Sequence, residues 1–176
     1  MNEIKENLIQ IATNTVQESG ISALTMRELG EAVGIKSSSV MYHFKSKDGL
    51  LLELVNSYNS TFTQFLDEIT RTHEQAIVRL LKLVDILESI LKEGKFCLCG
   101  MLASQSTSLD LETKETIRKF FQASQQWVAT TLNHRDDADV LAMVVISSLE
   151  GAMLLDKLDE QTQRIEAVRT WVKSLF

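Results

Sequence analysis

A chain of 176 residues, 44% apolar and 24% charged, has the composition of an ordinary globular protein with one substantial core, or a small domain joined to a larger one. It has no proline, only seven glycines and no β-branched runs of period two, so long helices with short connections are expected and strands are not. A net charge of −6 is wrong for wholesale adhesion to nucleic acid, which makes the local distribution of charge the informative quantity.

Glu3, Lys5 and Glu6 precede any apolar stretch, unlike a secretory signal, and no run of about eighteen apolar residues is present to span a membrane. Ile4, Leu8, Ile11, Ala12 and Val16 mark one face of a first helix, stopped by Gly20. Thr25, followed three residues on by Glu28, is a capping box; the helix it opens keeps Leu29, Ala32 and Val33 apolar and ends at Gly34. At roughly nine residues this helix is marginal alone and must pack on neighbours. Lys36-Ser37-Ser38-Ser39 opens a second short helix at residue 36 or 37, with Val40 and Phe44 facing inward. Ser46-Lys47-Asp48 caps a third start, and from Asp48 an apolar period through Leu51, Tyr58, Phe62, Phe65, Leu66 and Ile69 continues the helix. Further helices are expected over 74–92, 95–105, 110–133, 137–157 and 160–175. Cys97 and Cys99 are two apart, about 200° around a helix, so they do not bridge readily, and a reducing cytoplasm is expected.

Two short helices joined by a glycine-containing turn, the second opened by small polar residues, form a helix-turn-helix pattern. The second helix is narrow and polar at its N-terminal end, as entry into a major groove about 12 Å wide demands. The first fifty residues carry a net charge of −1, yet residues 34–47 hold Lys36, Lys45, Lys47 and His43 with no acid. Such a patch is a small phosphate footprint on an acidic chain.

The stretches Leu24-Thr25-Met26-Arg27-Glu28-Leu29-Gly30, Ala32-Val33-Gly34-Ile35 and Tyr42-His43-Phe44-Lys45-Ser46-Lys47-Asp48-Gly49-Leu50 resemble the N-terminal domain of the tetracycline-repressor (TetR/AcrR) family. The resemblance covers residues 4 to 55. It implies an all-α fold of nine or ten helices: an N-terminal three-helix helix-turn-helix domain (1–47) continuous with a C-terminal helical ligand-binding and dimerisation domain (48–176). It implies as partners a double-stranded DNA operator, a second copy of the chain and an unidentified small-molecule effector; no cofactor is expected. By the same resemblance Thr25 meets phosphate through its hydroxyl or backbone N–H, Tyr42 and Lys47 clamp the DNA backbone, Ser37 and Ser38 touch base edges, Ser39 reaches phosphate and His43 is a further backbone contact. Two positions depart from the family pattern. Lys36 stands where Ser or Thr usually caps the helix, which moves the cap to Ser37 or adds a phosphate contact. Met41 replaces a frequent tyrosine and could touch a thymine methyl. Capping alone also accounts for Thr25, a core position for Tyr42 and a solvated charge for Lys47.

In the C-terminal part, Phe62, Leu66, Leu87, Cys97, Met101, Phe120, Phe121, Trp127, Met143 and Ser147 are the candidate effector contacts, although such a stripe is more often core packing. No buried-looking charged residue dominates this pattern, so an aromatic or otherwise lipophilic effector is expected. Phe96-Cys97-Leu98-Cys99-Gly100-Met101 resembles a segment of a family branch with a cysteine at the position of Cys97, some members of which respond to electrophiles or oxidants. A helix N-terminus and Lys95 would favour its thiolate, while a small buried hydrophobe is the plainer role. The acids after His134 and Arg135 suit a helix start better than a metal site. Small residues Ser147, Ser148, Gly151 and Ala152, with Leu155, Val168, Val172 and Leu175, mark the last two helices as the dimer contact. No Ser/His/Asp, Cys/His or paired-carboxylate constellation points to an enzyme. The expected function is a ligand-responsive repressor on a palindromic operator. The alternative is a DNA-binding protein that recruits or blocks a protein partner without an inducer, against which a ligand-sized cavity would speak.

Overall fold

Nine α-helices carry the described residues, 3–176, of the computed structural model, and no strand occurs among them. They are α1 (Glu3–Ser19), α2 (Met26–Val33), α3 (Ser37–Phe44), α4 (Lys47–Thr72), α5 (Ala76–Lys92), α6 (Leu98–Ser104), α7 (Leu111–Thr131), α8 (Ala138–Asp159) and α9 (Gln163–Lys173). Single 3₁₀ turns at Ile21–Ala23 and Ser106–Ser108 were not foreseen from the periodicity.

The chain divides into two compact units that are not consecutive in sequence. One comprises the chain up to Ser60 with Leu98–Arg118; the other comprises Thr61–Cys97 with Lys119–Phe176. A division at 47/48 does not follow this packing, since α4 and α7 each contribute to both units, and residues 1 and 2 of a 1–47 domain lie outside the described residues.

In the first unit α1 buries Leu8, Ile9, Ala12 and Val16, and α3 buries Val40 and Phe44. The turn at Ile21–Ala23 is held from a distance: the Ile21 N–H donates to Gln105 Oε1 at 3.3 Å, while the Lys47 ammonium donates to the carbonyls of Ile21 (2.9 Å) and Leu24 (2.8 Å). The corner between α3 and α4 is tight. Lys45 adopts φ 66°, ψ −41°, and the Ser46 N–H donates to the Phe44 carbonyl at 2.8 Å, which closes a γ-turn with its central residue in the strained, positive-φ form. Ser46 Oγ then accepts from the Gly49 N–H at 2.9 Å, capping α4.

In the second unit α8 packs Ala142, Val145, Ile146, Leu149 and Met153 inward, against α5 and α9. By length and composition α8 is apolar enough to cross a membrane, yet a third of its apolar window is buried within the fold and it carries Glu150 and Asp156. No uninterrupted run of eighteen apolar residues occurs in it, because Asp139, Ser147, Ser148 and Glu150 break the apolar letters, though without lowering its mean hydropathy far.

Gly49 has no room for a side chain, because a Cβ there would lie 2.2 Å from the Phe44 carbonyl oxygen. Gly49→Ala is therefore expected to lower stability by about 2–3 kcal/mol, read as a shift of the urea midpoint at unchanged slope; an unshifted midpoint would mean that the corner relaxes freely.

Candidate nucleic-acid interface and effector cavity

The helix-turn-helix is assembled from local side-chain chemistry. Thr25, extended at φ −122°, ψ 145°, accepts from the Glu28 N–H at 3.2 Å and donates its own hydroxyl proton to Glu28 Oε2 at 2.6 Å. The reciprocal bond of the capping box thus closes on the threonine hydroxyl rather than on its N–H. Gly34 ends α2 at φ 74°, ψ 28°, in the left-handed region that favours glycine, and the Ile35 N–H folds back to the Gly30 carbonyl at 2.9 Å.

Lys36, not Ser37, is the N-cap of α3, and its side chain makes no capping hydrogen bond. Ser37, Ser38 and Ser39 consequently fill the first turn with exposed side chains, and helix geometry leaves the N–H groups of Ser37 and Ser38 without intrahelical acceptors. Tyr42 is 86% exposed and Met41 41%, so neither is a core residue. Lys36 and Lys45 are exposed, while His43 is half-buried with its ring edge-on to Tyr42 at 5.9 Å. Lys47 has a structural task as well, since two of its ammonium protons go to the carbonyls beneath it; one is left for a phosphate.

The second unit contains a small, partly open cavity between α4, α5, α7 and α8, lined by Phe62, Leu83, Leu87, Phe120, Phe121, Ser124, Ile146, Leu149 and Glu150, with a volume of about 10 Å³. That is room for one water, far below a drug-sized pocket of about 300–1,000 Å³. Phe62, Leu87, Phe120 and Phe121 of the expected contacts meet here. The Phe62 and Phe120 rings are 5.0 Å apart and those of Phe120 and Phe121 5.2 Å.

The remaining candidates lie elsewhere. Leu66 is buried outside the lining, and the Trp127 indole N–H donates to Thr70 Oγ1 at 2.9 Å. Met143 and Ser147 face outward, and Met101 is half-buried on α6, in the first unit. Cys97, 1% exposed, donates its thiol proton to Glu150, while the Lys95 ammonium is taken up by Glu93 at 2.8 Å. Arg135 pairs with Asp137 at 2.8 Å next to His134, and no cluster of three metal-ligating side chains occurs among the described residues.

Glu150 itself was missed. A signal existed: it is the one charged residue between Asp139 and Asp156, three or four positions from Ile146 and Met153 on the inward stripe of α8.

The described residues are all-helical, with a braced helix-turn-helix, an exposed polar edge on its second helix and a separate helical unit around a small cavity. Residues 8–54 match the model of bacterial regulatory proteins of the tetR family. The transcriptional repressor KstR2 of Mycolicibacterium smegmatis is 29% identical over 75 residues, 40% of this chain and 37% of that protein. The transcriptional regulator AcuR of Cereibacter sphaeroides is 25% identical over 169 residues, 88% and 76% of the two chains. A TetR transcriptional regulator from Legionella pneumophila superposes with a TM-score of 0.94 at 26% identity, over 100% of this chain and 98% of that one. Residues 8–54 thus match the tetR-family DNA-binding segment, and the whole chain shares the fold of a TetR transcriptional regulator, while it spans well under half the length of KstR2 over the matched region.

Burial raises the Glu150 carboxyl from its ordinary 4.5 to about 7, against the lowering effect of the Cys97 hydrogen bond; the other groups lining the cavity are uncharged. Because the folded value lies above the unfolded one, the folded state holds an extra proton between these two values, and stability falls as pH rises from about 4.5 to about 7. Glu150→Gln removes this loss. The variant is expected to gain stability over the parent through that window, by up to about 3 kcal/mol, and to run parallel to it above. Urea unfolding at stepped pH checks this; profiles parallel throughout would contradict it.

Proposed function

We propose that the protein is a ligand-responsive transcriptional repressor that binds a palindromic operator as a homodimer and leaves it when a small molecule occupies the second unit. One observation carries the DNA-binding half: Val40 and Phe44 anchor α3 in the core while Ser37, Ser38, Met41 and Tyr42 of the same helix stand in solvent. In this reading the Ser37 and Ser38 hydroxyls meet base edges, and the free N–H groups of the first turn and Lys36 meet phosphate. The Met41 thioether reaches a thymine methyl, Tyr42, Ser39 and His43 contact the backbone, and Lys47 offers its remaining proton. With its hydroxyl engaged by Glu28, Thr25 would meet phosphate through its backbone N–H. KstR2, a repressor by name, supports repression.

The outer face of α8 supports the dimer. Val140, Met143, Val144, Leu154, Leu155 and Leu158 are all exposed, Leu158 by 78%, with exposed Ser147 and Gly151 between them. So large an apolar face calls for cover, and a second copy would supply it over about 1,000 Å² or more. Ala152 and Val172 are interior, so the seam is built on α8 more than on α9. Two recognition helices would then lie about 34 Å apart. Release needs a coupling of only about 2–3 kcal/mol, for which the continuous helix α4, running from the Ser46 cap to Phe62 at the cavity, is a suitable lever.

The small volume of the cavity favours a second reading, a DNA-bound protein that acts through a protein partner without an inducer. Thermal-shift screening of lipophilic and electrophilic metabolites, followed by gel shift on the DNA upstream of its own gene, separates the two.

Tyr42→Ala is expected to change stability by less than about 0.5 kcal/mol and to weaken binding to that DNA at least tenfold, by about 1.4 kcal/mol or more; undiminished binding in a gel shift would refute the contact. Leu158→Glu is expected to give a monomer in sedimentation velocity and to lose operator binding. A variant still dimeric would place the seam elsewhere.

A further inference from the structure

Two carboxylates on α8 are enclosed, and the fold treats them differently. Asp156, fully buried, accepts from the backbone N–H groups of Arg164 (3.0 Å) and Ile165 (2.9 Å) and from the Arg164 guanidinium (3.2 Å), and so caps α9. Glu150 receives the Cys97 thiol, but its enclosed Oε2 has no hydrogen-bond partner. A buried acceptor left unpaired is costly, and in a native structure it calls for a water, an ion or a ligand to satisfy it. The residue as a whole is only half-buried; its carboxylate end is what the cavity encloses.

The surroundings define what that partner must bring. The Ser124 hydroxyl proton is committed to the Phe120 carbonyl at 2.8 Å, and no cationic side chain lines the cavity. The site therefore lacks a donor and a positive charge. What it offers is one carboxylate beside the aromatic rings of Phe62, Phe120 and Phe121, whose π faces attract a cation. When ionised, a carboxylate in an apolar enclosure favours a cationic over an anionic effector. Phe121, half-buried where Phe62 and Phe120 are fully buried, is the wall that can swing to admit a hydrocarbon chain.

We infer that Glu150 is the anchor for the ammonium group of a lipophilic amine, held by Oε2 and the aromatic walls while its hydrocarbon part displaces Phe121. The inference deepens the ligand-responsive reading and rests on it.

The test is calorimetric titration of the full-length protein with phenylbutylamine and with phenylbutanol, which share a skeleton and differ in the charged donor. Wild type is expected to bind the amine at least about tenfold tighter than the alcohol, a difference of about 1.4 kcal/mol. Glu150→Gln is expected to abolish that preference by weakening amine binding at least about tenfold, and Phe121→Leu to reduce it. Equal affinities in wild type, an amine affinity indifferent to Glu150→Gln, or no binding of either probe at millimolar concentration would overturn the assignment. The wild-type comparison needs no variant to fold. A parallel gel shift keeps the two levels apart: DNA binding without amine binding defeats the anchor alone, whereas absence of DNA binding defeats the repressor reading whatever the amine does.

Discussion

The Phe44 carbonyl is the point on which the recognition surface turns. It accepts the Ser46 N–H across the γ-turn at Lys45, and Gly49 lies so close over it that no other residue fits. The Phe44 ring is buried with the Lys5 ammonium 5.7 Å from its centre. Together these contacts fix the direction in which α3 leaves α4, and with it the rotation of α3 about its own axis. Only in that rotation do Val40 and Phe44 lie inside while Ser37, Ser38 and Tyr42 lie outside. A small rotation would bury the polar edge and expose the apolar one, so strain at Lys45 is retained where it sets a binding geometry.

Much of this could be read in the sequence because its determinants are local. Thr25 with Glu28, Gly34 at the left-handed stop and Ser46 before Gly49 each act within a few residues of their own position, so spacing alone reveals them. Lys36 could not be resolved the same way: a lysine at a cap position contributes only its backbone, and the serines that follow were equally good candidates by composition. The second task of Lys47 and the brace from Gln105 depend on contacts between residues distant in sequence, which no periodicity encodes. The cavity was half legible. Phe62, Leu87, Phe120 and Phe121 were singled out by residue type, but an aromatic stripe does not say which members converge, and Met143 and Ser147 share helical spacing with inward residues while facing out.

Glu150 shows the limit more sharply. A single acid in an apolar helix reads as a solvent-facing interruption, and only the packing of α5 and α7 against that side of α8 turns it into an enclosed carboxylate. Asp156, six residues on, is also buried but fully bonded, a structural group. The same residue chemistry on one helix thus serves a cap in one place and leaves an open valence in another. Occupation of so small a cavity requires side chains to move, and under the proposed ligand response an effector would shift the DNA-binding equilibrium only by its preference for the opened form. The two faces of α8 also reconcile its membrane-like hydropathy with the rest of the fold: one face fills the second unit and the other awaits a matching surface.

The most direct test of the account is amide chemical-shift mapping of the full-length protein titrated with the duplex upstream of its own gene. The largest changes are expected at Lys36, Ser37, Ser38 and Tyr42, with Val40 and Phe44 little affected. Changes concentrated on α5 or α9, with the first turn of α3 silent, would contradict it.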